Sequence, residues 1–191
     1  MARPVQQAAF APNWFIAIPV EAGEWYDRIV TRPPNGFRKF HLDDLHMTVA
    51  FLGAVDHDKA LAAWRALAWN LGTIHATLGT VVPMGAPRRY SALSAELDEG
   101  RTEIERAITA TRDACCDAAG ARRESRPAKA HITIARPPRN ASDADRAAGL
   151  RWASSLSLSG QSITLRSVAL YTWAEDRRVR QFRIVDRIDM G

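Results

Sequence analysis

The 191-residue chain has few cysteines, few lysines and no long apolar segment. Its only cysteines are the neighbours Cys115 and Cys116, which cannot cross-link distant segments, so a disulfide-stapled secreted scaffold is excluded. No apolar run approaches the roughly 20 residues of a membrane-spanning helix, and the first residues lack the pattern of an export signal. We therefore expect a cytoplasmic protein that does not bind membranes.

The charge of the chain has an unusual composition. There are 26 Lys plus Arg residues against 21 Asp plus Glu, a formal net charge of +5, and all the basic residues except Lys39, Lys59 and Lys129 are Arg. Guanidinium groups bind phosphate oxygens two at a time, which favours a nucleotide or nucleic-acid ligand. A general bias toward Arg and Ala in the composition explains the same numbers. The charge therefore suggests a phosphate-bearing partner without establishing one.

The order of predicted elements indicates an internal repeat. The pattern of apolar, turn and capping residues predicts strands at 14–19, 37–40, 45–53, 73–84, 89–97, 131–136, 161–173 and 179–188, and helices at 20–31, 56–71, 101–119 and 142–152. Each half of the chain contains a strand, a helix, a loop, a strand that begins with His and a further helix. No linker separates the halves, so we predict one α+β domain over residues 1–191 with two similar lobes.

Two short motifs, His46-Met47-Thr48 and His131-Ile132-Thr133, begin apolar strands in equivalent places of the two halves. Side chains alternate between the faces of a strand. With strict alternation, one face of each strand is free for a ligand and the other packs into the core. The ligand face carries His46, Thr48 and Ala50 on the first strand and His131, Thr133 and Ala135 on the second. The core face carries Met47, Val49 and Phe51 on the first strand and Ile132 and Ile134 on the second. Each ligand face thus combines an imidazole, a hydroxyl and a small alanine that leaves room for a ligand.

A third copy of the spacing, His75-Ala76-Thr77, shows that the motif alone is not specific. This copy follows a helix, whereas His46 and His131 both follow a loop and precede a helix. We therefore predict a structural or surface role for His75 and a functional role for the other two histidines.

If the two lobes face each other, a phosphate held between them has a hydroxyl donor on each side and an imidazole at each end of an in-line displacement. One neutral His can remove a proton from the attacking water, and one protonated His can give a proton to the leaving oxygen. Thr and Arg can stabilise the charge that develops on phosphorus, so no metal or other cofactor is required. A metal cluster of His41, His46, Asp43 and Asp44 would need a compact, reversed loop, and we do not predict one.

These residues resemble the two-histidine phosphoesterase superfamily, in particular the LigT-like RNA 2',3'-cyclic phosphodiesterases, also called 2'-5' RNA ligases. The resemblance covers most of the chain. Segment 15–19 is similar to the family's opening strand, 45–53 to its first motif and 131–136 to its second, including the trailing Arg136. Two departures concern substrate preference: Ala130 stands where many relatives have Pro, and residues 1–11 extend beyond the usual start.

The resemblance implies a bilobal, pseudo-two-fold α+β fold in which two antiparallel sheets flank a central cleft and the helices lie outside. It implies hydrolysis of RNA ends or small nucleotides with a 2',3'-cyclic phosphate to 2'-phosphates, by a monomer, with His46 as the general acid and His131 as the base. Thr48 and Thr133 would bind phosphate oxygens. A 2'-5' RNA ligase, a 2'-5' oligonucleotide phosphodiesterase and a non-catalytic RNA-binding relative stay open as alternatives.

Further substrate-binding candidates surround the motifs. Arg136 follows the second motif and could pair with phosphate, although strict alternation would turn it to the face opposite His131. Lys129 precedes that motif and could supply a positive charge at the entrance of the cleft. Tyr90, Tyr171 and Trp173 could stack on a base. The arginine runs at 122–123 and 177–180 could follow an RNA backbone or be solvated loop residues.

Overall fold

The computed structural model describes residues 11–191. The predicted extension at residues 1–11 therefore lies almost entirely outside the described residues. Nine strands are present: β1 (Trp14–Pro19), β2 (Arg38–Lys39), β3 (His46–Gly53), β4 (Ile74–Pro83), β5 (Leu93–Glu99), β6 (His131–Arg136), β7 (Ser162–Leu165), β8 (Ser167–Trp173) and β9 (Phe182–Asp189). The four α-helices are α1 (Gly23–Ile29), α2 (His57–Arg65), α3 (Arg101–Ala118) and α4 (Asp143–Ser154), and a 3₁₀ helix (Leu42–Asp44) precedes β3.

The strands form two antiparallel sheets. The first has the order β3-β1-β8-β9 and the second the order β2-β6-β5-β4-β7. With β2 set aside, β3 and β1 occupy the places in the first sheet that β6 and β5 occupy in the second. The two strands that begin with His are therefore related by an approximate two-fold axis. The predicted α+β fold with two antiparallel sheets is confirmed. That all 191 residues form one domain stays a prediction.

The two sheets approach each other along the strands that carry the histidines. β3 is an edge strand of the first sheet, and Cα atoms of β3 and β6 come within 8 Å of each other. Helices cover the outer sides: α3 contacts β3 and β5, α2 contacts α3 and β1, and α4 contacts β4 and β5. One continuous core of buried apolar side chains joins both sheets to these helices. The open side between the sheets is left for a ligand.

The second helix and the strand at 161–173 differ most from the predicted elements. The second helix begins just after Asp56, whose side chain accepts a hydrogen bond from the Lys59 amide as an N-cap, but it ends at Arg65 instead of continuing to residue 71. Beyond the helix end, the Ala68 amide donates to the Thr111 hydroxyl on α3. The single strand predicted at 161–173 is two strands, since the chain crosses from the second sheet to the first at Arg166.

Among residues 11–191, no helix is long and apolar enough to span a bilayer.

Candidate active site

Both motif histidines are held by the same kind of hydrogen bond to the backbone. The Nδ1 atom of His46 donates to the backbone carbonyl of Asp44 at 2.6 Å, and Nδ1 of His131 donates to that of Lys129 at 2.7 Å. A carbonyl can only accept, so each neutral imidazole carries its proton on Nδ1 and a lone pair on Nε2. Each ring therefore has Nε2 free to take a proton or, once protonated, to donate one.

Each histidine strand contains a β-bulge just after its threonine. On β1, Ile16 and Ala17 are neighbours, yet they pair with Ala50 and Thr48, so Val49 is an extra residue in β3. The same irregularity occurs on β6, where the adjacent Leu93 and Ser94 of β5 pair with Ala135 and Thr133 and leave Ile134 extra. A bulge inserts one residue into a strand and reverses the alternation of the residues that follow.

The bulges correct the predicted arrangement of the ligand face. Ala50 and Ala135 were expected beside the ligand, but both are buried in the core. Phe51 was expected in the core, but its side chain is 56% exposed and lines the cleft. Arg136 occupies the equivalent position on β6 and also lines the cleft, where strict alternation would have turned it away. Each strand therefore presents His, Thr and one large side chain, phenylalanine on β3 and arginine on β6.

The His46 ring lies among aromatic side chains. Its centroid is 4.9 Å from that of Phe15, 5.6 Å from Tyr171 and 5.4 Å from Phe182. Burial in this apolar pocket lowers the pKa of His46 to about 4, the carbonyl of Asp44 opposes the shift, and the charges of Arg136 and His131 add to it. The two imidazoles are thus close enough for a charge on His131 to disfavour a charge on His46.

His131 has more polar surroundings. Burial is the main cause that lowers its pKa, the Lys129 carbonyl opposes the shift, and the charges of Lys129, Arg136 and Arg126 add to it. Beside it on β6, the Thr133 hydroxyl lies 3.4 Å from the Ser94 hydroxyl on β5 and is nearly buried. Thr133 is therefore held in place by a neighbouring strand, whereas Thr48 faces the cleft.

Asp44 connects His46 to the start of β9. Its side chain is 1% exposed, and its carboxylate accepts the backbone amides of Gln181 at 2.7 Å and Phe182 at 3.0 Å. The carbonyl of the same residue holds the His46 ring. Phe182 in turn packs edge-on against that ring. Asp44 thus fixes His46 both directly and through the aromatic residue beside it. The sequence reasoning considered Asp44 only as an unlikely metal ligand and missed this role.

The cleft between the sheets is an open cavity of about 1110 Å³. The predicted residues His46, Thr48, Arg136, Tyr90 and Trp173 are among those that line it. His131 and Thr133 are not part of this lining, and they lie on the adjoining strand β6. Sequence reasoning did not find several other lining residues, which come from separate elements: Arg38, Phe51, Arg139, Arg146, Gln181 and Phe182.

The five arginines that line the cleft are named here the arginine rim: Arg38, Arg136, Arg139, Arg146 and Arg177. Arg38 and Arg177 both donate to the side-chain oxygen of Gln181, at 2.7 and 3.0 Å. Burial lowers the pKa of Arg38, and the charge of Arg177 lowers it further. Burial, with the charge of Arg38, likewise lowers the pKa of Arg136. The rim is a site where positive charges are held close together.

The remaining predicted binding residues have other surroundings. Lys129 pairs with Glu96 at 2.8 Å and does not line the cleft. Tyr90 is 0% exposed and donates to the carbonyl of Arg146, while Tyr171 is 1% exposed and stacks on Phe15 behind His46. Neither tyrosine has exposed ring surface on which a base could stack. Trp173 is partly exposed at the cleft, with the Arg177 guanidinium 4.1 Å above its ring.

His75 lies apart from the cleft, on β4, where its exposed ring is 3.4 Å from the Thr164 hydroxyl of the neighbouring strand. Of the arginine runs, Arg123 pairs with Asp117 and Arg178 pairs with Asp176, and only Arg177 reaches the cleft. Within the described residues no group of three or more His, Cys, Asp or Glu side chains is placed to hold a metal ion.

Several solved structures share this architecture. E. coli LigT, solved in complex with 3'-AMP, matches with a TM-score of 0.67 at 21% identity, over 94% of this chain and 98% of LigT. TT0787 of Thermus thermophilus matches with a TM-score of 0.67 at 18% identity, over 93% of this chain and 97% of that protein. The chain has the LigT-like fold. Usb1 of Kluyveromyces marxianus also matches, with a TM-score of 0.57 at 9% identity, over 94% of this chain and 98% of Usb1.

These neighbours are two-histidine phosphoesterases, so the predicted resemblance is confirmed at the level of the fold. No protein-family model matches the chain, and no curated protein matches its sequence significantly. The LigT-like fold places the two histidine strands on either side of one cleft.

Proposed function

We propose that the protein is a metal-independent phosphodiesterase of the two-histidine phosphoesterase superfamily that hydrolyses RNA or nucleoside 2',3'-cyclic phosphates to 2'-phosphates. The observation that carries the proposal is the paired arrangement of His46 and His131. Both rings are held through Nδ1 by the carbonyl two residues earlier, and both leave Nε2 free. Their strands approach each other from the two sheets beside an arginine-lined cleft, which His46 lines.

The arrangement suits an in-line displacement at phosphorus. One neutral imidazole takes a proton from water as its oxygen attacks phosphorus, and the other imidazole, protonated, gives its proton to O3' as the P–O3' bond breaks. The product has a 2'-phosphate and a free 3'-hydroxyl. The Thr48 and Thr133 hydroxyls donate to the non-bridging oxygens, and Arg136 supplies positive charge for the pentacoordinate transition state.

The pKa values bear on which histidine is acid and which is base. The family resemblance implies His46 as the acid. The pKa of both rings is lowered, but the aromatic pocket lowers that of His46 further, to about 4, so His46 is the ring that resists protonation more strongly. The ligand-free site therefore favours His46 as the base and His131 as the acid. A bound phosphate anion raises the pKa of both rings, because an opposite charge stabilises the imidazolium.

The test is hydrolysis of adenosine 2',3'-cyclic phosphate by purified protein in the presence of EDTA, with the position of the product phosphate read by phosphorus NMR. We expect a 2'-phosphate, and we expect His46→Ala and His131→Ala each to lower kcat by roughly 10²–10⁴-fold. His75→Ala is the matched control, since it removes a His-x-Thr histidine on another strand and should leave turnover unchanged. Full turnover in both motif variants would refute the catalytic assignment.

A substrate panel separates the alternatives. Joining or cleavage of 2'-5' linked oligonucleotides, with no opening of cyclic phosphates, would replace the proposed reaction with that of a 2'-5' ligase or phosphodiesterase. Salt-sensitive RNA binding without turnover of any substrate would favour a binding protein.

A further inference from the structure

We propose that the arginine rim, apart from Arg136, binds a second phosphate group of the substrate, on the 5' side of the nucleotide whose phosphodiester lies between the histidines. The physiological substrate is then a nucleotide or oligonucleotide with at least two phosphates. The inference rests on the proposed function for the position of the reacting phosphate.

The first support is the charge of the cleft wall. Five arginines line the cavity and none of its lining residues is Asp or Glu. Elsewhere on the surface some arginines pair with carboxylates, as Arg28 does with Glu24 and Arg178 with Asp176, whereas no carboxylate belongs to the lining of this cavity. A concave wall of one charge sign concentrates counter-ions of the opposite sign. The wall therefore suits a polyanion.

The second support is how the rim arginines are hydrogen-bonded. Among residues 11–191, none of the five forms an ion pair with a carboxylate. Arg38 and Arg177 bond the neutral side chain of Gln181, and Arg146 bonds the carbonyl of Tyr90. These neutral acceptors orient the guanidinium groups without neutralising them, and within the described residues only Arg38 also feels a carboxylate, that of Asp44. The groups are therefore preorganised for an anion.

The third support is the mutual repulsion within the rim. Arg38 and Arg136 are cross-strand partners on β2 and β6, and like charges directly opposite each other destabilise a sheet. Arg177 adds its charge from the loop before β9. A bound anion converts this repulsion into attraction.

The fourth support is the number of charges and the room available. Displacement at one phosphodiester uses the two histidines, the two threonines and Arg136, which leaves Arg38, Arg139, Arg146 and Arg177 without a role. The cavity of about 1110 Å³ lies just above the roughly 300–1,000 Å³ common for small-molecule sites, and it is larger than a single phosphate and ribose need.

The test compares affinities for two products by calorimetry at fixed ionic strength: adenosine 2'-monophosphate and adenosine 2',5'-bisphosphate. We expect the wild-type protein to bind the bisphosphate roughly tenfold or more tightly, the contribution of about one charge-assisted hydrogen bond. Arg139→Gln and Arg177→Gln should each reduce this ratio toward one. Both side chains are exposed, so neither change threatens the fold.

Arg178→Gln is the matched control. It removes the same charge one residue from Arg177, but Arg178 pairs with Asp176 and does not line the cleft, so the ratio should keep its wild-type value. Equal affinity of the wild-type protein for both products would overturn the proposal. An equal loss of the affinity ratio in Arg178→Gln would also overturn it, since the preference for the bisphosphate would then follow from the net charge of the protein and not from the rim.

A third ligand distinguishes a terminal phosphate from an internal phosphodiester. A dinucleotide that ends in a 2'-phosphate but lacks a 5'-phosphate should bind as tightly as the bisphosphate if the rim accepts an RNA chain, and weakly if it requires a terminal group. The outcomes also separate the two proposals. Turnover of adenosine 2',3'-cyclic phosphate with no preference for a second phosphate refutes only the proposed phosphate site at the rim. Tighter binding of the bisphosphate without turnover of the cyclic phosphate refutes only the proposed reaction.

Discussion

His46 and His131 have the same local architecture in different surroundings. Each begins a strand, bonds the carbonyl two residues earlier through Nδ1 and is followed by a threonine and a bulge. Around His46, however, Phe15, Tyr171 and Phe182 form an aromatic pocket. Around His131 the neighbours are charged: Lys129 with Glu96, Arg126 and Arg136. The approximate two-fold thus repeats backbone geometry without repeating chemical environment.

The difference shows how a repeated fold can supply two unlike titrating groups. Both imidazoles disfavour the proton in the free protein, but desolvation by aromatic rings acts more strongly on His46, whose pKa falls to about 4. Acid-base catalysis needs one protonated and one neutral group at the same pH. In the proposed mechanism, the different surroundings of the two His-x-Thr motifs separate their pKa values in the way that such a pair requires.

The largest expected effect is the loss of activity when either imidazole is removed. The pH dependence of the remaining activity then shows which role each histidine has. In the wild-type protein the base sets the acid limb of kcat/KM and the acid sets the alkaline limb. Since the pKa of His46 is about 4 and that of His131 is also lowered, we expect an optimum below pH 6.5. His46→Gln should lose the acid limb and His131→Gln the alkaline limb, each with roughly 10²–10⁴-fold lower activity.

The opposite pattern is equally informative. If His46→Gln loses the alkaline limb, the acid role implied by the family resemblance is correct, and the aromatic pocket does not decide the roles. A wild-type profile with a single limb would contradict a two-imidazole mechanism.

The next effect concerns the residues two positions before each histidine. Asp44→Ala leaves the buried amides of Gln181 and Phe182 without their acceptor, so we expect the free energy of unfolding to fall by about 2–4 kcal/mol. Lys129→Ala is the matched change, two residues before His131 in the loop that leads into β6. It keeps the carbonyl that holds His131 and loses only a partly exposed pair with Glu96, worth less than about 1 kcal/mol. Urea unfolding measures both, and equal losses would refute the anchoring role of Asp44.

A smaller effect is expected on the pH dependence of stability. The pKa of His46 is about 4 in the folded protein against 6.5 for the free side chain, so below pH 6.5 the unfolded chain binds a proton that the folded chain does not. Stability should therefore fall between pH 6.5 and 4, by at most about 3 kcal/mol from this group. His46→Gln should flatten that decline more than His131→Gln does, as urea unfolding at pH 7 and 4.5 would show. Equal slopes in the two variants would remove the distinction between the two pockets.

Much of the fold was predictable because its signals are local. The strands at 14–19 and 131–136 and the starts of the helices near Asp56 and Ser142 follow from apolar runs and polar residues next to them in the chain. The break at Arg166 was not predictable, because segment 161–173 has strand character throughout and only the pairing partners differ on its two sides.

In the site, His46, Thr48, His131 and Thr133 were identified from motif and position, and their catalytic roles stay predictions. The bulges left no mark in the sequence, since an extra Val or Ile in an apolar strand looks like any core residue. That is why Phe51 was expected in the core and Arg136 was expected on the wrong face. The arginine rim could not be assembled from sequence either, because β2, β6, α4 and the loop before β9 meet only in the folded chain.

The two bulges also bear on how such a protein can change. Residues 49 and 50, and likewise 134 and 135, are adjacent and both buried, so the core stays continuous while positions 51 and 136 project into the cleft. Side chains at these two positions therefore reach the ligand without disturbing either the packing below or the His-x-Thr motif before them. Position 136 holds the arginine assigned to the reacting phosphate, so position 51 is the one where size and charge can vary, and new substrate preferences could be selected there while the reacting groups stay fixed.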